Sequence, residues 1–172
     1  FKQVISIAKD FEFTRLALWS YENLKIIYLQ SQRDGLLSKT EDKIEHFKNL
    51  KMLEDQAMSL YFTSKIKLAK SIASKQTFIK EIPQIIQQLH ALWLQTGSFN
   101  IFQWYYYLNV WYLKLTKQYE ASIISLEQSE KYLKEGKVNV RRFDHRANKY
   151  SHVSALLRTR QFDKGLTLAK DY

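Results

Sequence analysis

Apolar positions recur every three or four residues along most of the chain, the period of a helix with one buried face. Residues 1–8 already carry this pattern. Over 9–33 one stripe holds Phe13, Ala17, Ser20, Leu24 and Ile27, flanked by Trp19 and Ile26. A stop is expected near Arg33-Asp34-Gly35, where glycine can take the left-handed conformation that ends helices. Ser38-Lys39-Thr40-Glu41 has the form of a capping box and predicts a new start. From there Ile44, Phe47, Leu50, Leu53, Ala57 and Leu60 continue the period to about Ser74 without a breaker. An unbroken helix of that length spans about 54 Å at 1.5 Å per residue. Residues 76–95 predict a helix containing Pro83, which either kinks it or opens its regular part. Thr96-Gly97-Ser98 is a turn, and Ser98 suits an N-cap. Helices over 99–116, 119–135, 141–159 and 162–172 follow, with Gly136 as a stop between the two pairs. Turns are expected near 34–38, 75–77, 96–98, 117–118, 136–140 and 160–161. The pattern therefore predicts an all-α fold of about seven helices, with an elongated first hairpin.

The second half of the chain repeats itself. Lys117-Gln118-Tyr119-Glu120-Ala121-Ser122 returns 43 residues later as Arg160-Gln161-Phe162-Asp163-Lys164-Gly165. Tyr107, Val110 and Leu113 return as Tyr150, Val153 and Leu156. Weaker forms of the turn stand at Asp10-Phe11-Glu12 and Gln76-Thr77-Phe78. Helical patterning with such a period predicts an α-solenoid, in which stacked antiparallel hairpins cover one another's apolar faces. Residues 1–172 read as one helical-repeat domain, expected to be a piece of a longer protein. Its clearest repeats are 99–135 and 141–172.

Residues 103–172 resemble two tetratricopeptide-type repeats, and more loosely the divergent tetratricopeptide-like proteins common in bacteria. The resemblance rests on a small residue early in the second helix, Ser122 and Gly165, three places after Tyr119 and Phe162. Leu126 and Ala169 fill the next apolar position. Where the family has glycine or alanine in the first helix, this chain has Val110 and Val153, and Lys134 stands near the place of the closing proline. The resemblance implies a hairpin stack with a concave inner side. On that side it puts Trp104, Tyr107 and Trp111.

Composition supports long helices and narrows the chemistry. One proline and four glycines leave few turns. The absence of cysteine excludes disulfides, thiolate zinc sites and cysteine nucleophiles, and fits a reducing compartment; the expected location is the cytoplasm. No apolar run approaches the length of a membrane span. The net charge is +10, concentrated in Lys137, Arg141, Arg142, Arg146, Lys149, Arg158 and Arg160 against Asp144 alone. Such a segment suits either solubility or an anionic partner.

No catalytic grouping emerges, and the chain is expected not to be an enzyme. There is no phosphate-binding glycine loop and no G-x-S-x-G elbow. His145 and His152 lie two helical turns apart, too far to share a metal unaided, and His46 and His90 stand alone. The pairs Glu41/Glu45 and Glu127/Glu130 have lysines beside them, as on a solvated face. No cofactor and no metal are expected. The aromatic run is the more informative feature. Phe102, Trp104, Tyr105, Tyr106, Tyr107, Trp111 and Tyr112 surround one helix, which must be buried by several neighbours or offer rings to a ligand. Arg142, Arg146 and Lys149 are expected on one flank of the following helix, where they could hold a carboxylate or phosphate. The expected function is a non-enzymatic scaffold. It would bind a protein segment or peptide, one with acidic groups, through Trp104, Tyr107, Trp111, Arg142, Arg146 and Lys149. A basic solenoid binding nucleic acid, or a ligand-sensing segment of a larger regulator, are the alternatives.

Overall fold

The computed structural model describes residues 1–69 and 78–170. Among the described residues the fold is all-α, with eight helices and no strand. These are α1 (Lys2–Asp10), α2 (Thr14–Gln30), α3 (Asp34–Ala69), α4 (Ile82–Thr96), α5 (Phe99–Leu115), α6 (Tyr119–Lys134), α7 (His145–Arg158) and α8 (Phe162–Lys170). The turn expected near 75–77 lies outside the described residues.

Three boundaries differ from the sequence expectation, each for a local reason. The helix expected over 9–33 is broken at Phe11–Phe13, which separates α1 from α2. The stop expected at Gly35 falls earlier, at Ser31–Arg33, so Ser38 and Glu41 lie inside α3 and not at its start. Glu41 instead pairs with Lys25 of α2 at 2.7 Å. The helix expected from residue 141 begins at His145, because the Asp144 side chain accepts from the Ala147 N–H (2.9 Å) and caps it there. Pro83 occupies the first turn of α4, the position where its missing N–H costs nothing.

One turn device recurs. Glu12, Gln32, Lys117 and Arg160 all have φ between 50 and 60°, and Gly136 has 69°. In each case the next residue's N–H donates to a carbonyl five residues back. The pairs are Phe13 to Ala8, Arg33 to Tyr28, Gln118 to Leu113, Lys137 to Tyr132 and Gln161 to Leu156. This bond closes a Schellman-type helix end, usually built on glycine. The 43-residue echo is a duplicate of this turn with its side chains. Thr116 and Thr159 each donate to the carbonyls three and four residues back. Gln118 and Gln161 then donate to those threonine hydroxyls, at 2.9 and 3.1 Å.

Every helix packs on its neighbour in the chain, and α3 also packs on α5. The long α3 acts as a spine. Its first half lies antiparallel to α2, with Arg15 against Asp55 and Lys25 against Glu41. Its second half lies beside α5 in the same direction, with Ser98 at Glu54, Trp104 at Tyr61 and Lys65 at Trp111. The main core is centred on α5, where Ile101, Phe102 and Leu108 are fully buried with Leu89 of α4 and Leu126 of α6. A smaller core of Ile123, Ala155 and Leu156 joins the last three helices.

Ser122 lies in the first turn of α6, where the repeat pattern expects a small residue. It is fully buried, and its hydroxyl has no hydrogen-bond partner among the described residues. Ser122→Leu is therefore expected to cost about 1–3 kcal/mol through overpacking. Ser122→Ala is expected to be neutral or to gain up to about 1 kcal/mol, because it removes an unpaired buried group. Urea denaturation midpoints of the two variants check both signs.

Candidate binding surface

The aromatic run on α5 divides into core and flank. Phe102 and Tyr106 are buried. Trp104, Tyr105, Tyr107, Trp111 and Tyr112 are half-buried against the same core. The three rings expected to form a binding face behave alike. Trp104 packs on Tyr61 (4.9 Å between centroids) and Phe62 (5.4 Å), both from α3. Trp111 lies beneath the Lys65 ammonium, 4.2 Å from its ring centre, a cation–π contact. Tyr107 lies between them on the helix, beside Tyr106. Spacings of three and four residues keep all three on one flank of α5.

That flank opens at its upper end into a cleft of about 340 Å³. The cleft forms where the N-termini of α2 and α5 meet over the middle of α3, and Phe13, Arg15, Glu54, Met58, Asn100 and Trp104 line it. Glu54, 7% exposed, is its buried carboxyl group. One oxygen of Glu54 accepts from Thr14, the first residue of α2 (2.7 Å), and from Ser98, the N-cap of α5 (2.6 Å). Beside it a Glu12 oxygen accepts from the Phe99 N–H at 2.7 Å. Two helix N-termini thus converge on two carboxylates, the arrangement favoured by their partial positive charge. Asp55 on the rim pairs with Lys51 and Arg15, and the Lys51 bond, ahead of Arg15, holds its carboxyl below the usual range.

The basic residues are placed less as expected. Arg142 belongs to the α6–α7 loop, not to α7. Its Nη1 donates to the carbonyls of Phe11 (3.2 Å) and Glu12 (3.1 Å), and its Nη2 to Asn100 Oδ1 (2.7 Å). The guanidinium also covers the rings of Phe99 (4.4 Å) and Phe13 (5.1 Å). Arg142 therefore braces the cleft from behind. Arg146 is exposed on the first turn of α7, and Lys149 is half-buried one turn further on. Lys65 stands over the Trp111 ring, and Lys114 follows Trp111 by three residues on α5. The Lys114 ammonium donates to the Ser151 hydroxyl of α7 (3.1 Å), and burial lowers its pKa. Lys114 was legible in the sequence, three residues after Trp111 on the same helix. Lys65 was not, since only packing brings α3 to that ring.

Polar contacts also tie α5 to α7. The buried Tyr106 hydroxyl donates to Asn148 Oδ1 (2.7 Å), and Asn148 Nδ2 donates to Glu130 (2.6 Å). Burial, reinforced by Tyr107, Glu130 and Asp144, keeps the Tyr106 phenol neutral far above its ordinary range. Tyr105 is pushed up to about 12, chiefly by burial. Tyr106 therefore serves as a neutral donor, and Tyr105 packs its ring against His90, Trp93 and Phe102.

Among the described residues no three His, Asp or Glu side chains come together as a metal site. No described helix is long and apolar enough to cross a membrane. No protein-family model matches the chain, and comparison with curated proteins and with solved structures gives no match.

Proposed function

We propose that the chain is an α-solenoid of tetratricopeptide-like hairpins and a non-enzymatic scaffold that holds an extended protein segment along the α3–α5 flank. One observation carries this reading. Three large rings, Trp104, Tyr107 and Trp111, stay half-buried along one flank of α5, while Phe99, Phe102 and Tyr106 of the same helix are buried. Tryptophan and tyrosine in such positions are the usual anchors of an interface, with much apolar area and few rotatable bonds. Lys65 and Lys114 border the rings, and Arg146 and Lys149 add charge from α7, so a segment with acidic groups fits best. Arg142 contributes by holding the cleft wall.

Panning a displayed random peptide library against the protein tests this. Acidic peptides should be selected, and Trp104→Ala and Trp111→Ala should each weaken them about tenfold or more. The reading is overturned if selected peptides bind both variants as tightly as the parent. A basic surface serving nucleic acid would behave differently. Single-stranded DNA would bind with an affinity that falls steeply with salt.

A further inference from the structure

A second cleft, of about 500 Å³, lies away from that flank, between the end of α4 and the end of α6. Its lining is His90, Trp93, Leu94, Gly97, Tyr132 and Lys137. It shares no residue with the aromatic flank or with the cleft at Glu54.

Its walls are flat and aromatic. Trp93, 3% exposed, forms the floor and meets Tyr132 edge-on at 4.8 Å. Behind it Tyr105 stacks nearly parallel to the indole, at an interplanar angle of 8°. His90 lies against both, 5.6 Å from Trp93 and 4.8 Å from Tyr105. Burial lowers the pKa of His90, which leaves it a neutral imidazole at neutral pH. Leu94 is 65% exposed at the rim, an apolar side chain left in water beside these rings. Gly97 lines the mouth as the left-handed C-cap of α4, with φ 66°. Small-molecule sites have this form: about 300–1,000 Å³, mostly apolar walls, and a few convergent polar groups.

The charge at the mouth has a definite sign. Gly97 and Lys137 bring the carbonyl ends of α4 and α6 to the cleft, and each end carries about half a negative charge. Lys131, Lys134 and Lys137 together outweigh those ends and the one carboxylate among them, Glu135. Lys137 lines the cleft itself, with its ammonium 2.8 Å from Glu135 and 5.8 Å from the Tyr132 ring centre.

We propose that this cleft binds a planar aromatic small molecule bearing one anionic group. The ring system lies on Trp93, His90 and Tyr132 under Leu94, and the anion takes the Lys137 ammonium from Glu135. A flat ring matches flat walls by offset or edge-on stacking, which an aliphatic chain of equal area cannot do. Among the described residues the ammonium is the one charged donor lining the cleft, so it sets the orientation.

The test uses three probes: naphthalene-2-carboxylate, the cationic 2-naphthylmethylamine, and octanoate. Each is titrated into the whole chain and followed by amide and indole proton–nitrogen NMR. The carboxylate should give saturable shifts at the Trp93 indole N–H and the Gly97 amide. The amine and octanoate should bind about tenfold more weakly or less. Leu94→Glu and Lys137→Glu change exposed side chains, and their otherwise unchanged spectra will show an intact fold. Each should weaken the carboxylate about fivefold or more. The proposal is overturned if the carboxylate does not saturate or shifts only other residues. It is equally overturned if octanoate or the amine binds as well, or if neither variant weakens binding.

Discussion

Phe102→Ala is expected to cost about 4 kcal/mol of unfolding free energy. Phe102 is 1% exposed, and it is the hub of the aromatic core. Its ring meets Trp93 at 5.0 Å, Tyr106 at 5.9 Å, and Phe99, Tyr105 and Phe143 at 6.2 Å. Those partners come from α4, from α5 itself and from the α6–α7 loop. Truncation therefore opens a cavity that no single element can close by shifting. Trp104→Ala removes more atoms but from a half-open site, so solvent fills part of the space, and about 1–2 kcal/mol is expected. Urea denaturation of both variants, with the slope held equal to the parent's, gives the comparison. If Trp104→Ala costs as much as Phe102→Ala, the α3–α5 flank is core, and the proposed binding face is lost with it.

That contrast marks where the sequence stops being informative. Helical patterning identified α2, most of α3, and α4 to α8, and over α5 to α8 the 43-residue echo added to it. The break between α1 and α2 was harder to see. Its turn is built on Glu12 at φ 52°, with no glycine or proline to announce it. Gln32 hides the start of α3 in the same way, and Gly35, the obvious candidate, sits in helical backbone. The short marker Asp10-Phe11-Glu12 was visible, and it does coincide with a turn. For the candidate site, residue type and spacing showed that one helix is aromatic on every side. Which rings stay open depends on which neighbours arrive, and Tyr61, Phe62 and Lys65 reach α5 only through tertiary packing. Arg142 was misplaced for a more local reason: the cap at Asp144 outcompeted an earlier helix start.

Arg142→Ala is expected to cost about 3 kcal/mol, and the loss should appear first at the opposite end of the chain. A linear stack of repeats transmits stability only between nearest neighbours. Here the α6–α7 loop reaches back to the first turn, and Arg142 and Glu12 are 130 residues apart in sequence. Asn139 adds a bond to the Asp10 carbonyl (2.8 Å), and Arg141 covers the Phe11 ring (5.5 Å). Removing the guanidinium leaves two carbonyls and Asn100 without their charged donor, and uncovers Phe99 and Phe13. Arg142→Lys should recover little, because a point charge cannot replace a planar fork that spans three acceptors and two rings. Glu54→Ala is expected to cost a similar amount, since it strands the Thr14 and Ser98 hydroxyls at two helix N-termini. Glu54→Gln keeps an acceptor oxygen and should cost about 1 kcal/mol. Hydrogen exchange separates a brace from ordinary destabilisation. In Arg142→Ala the amides of α1 and the first turn of α2 should exchange faster by a larger factor than those of α8, although α8 is far closer in sequence. Faster exchange confined to α7 and α8 would mean that the loop does not brace the first turn, and that the chain behaves as an open stack.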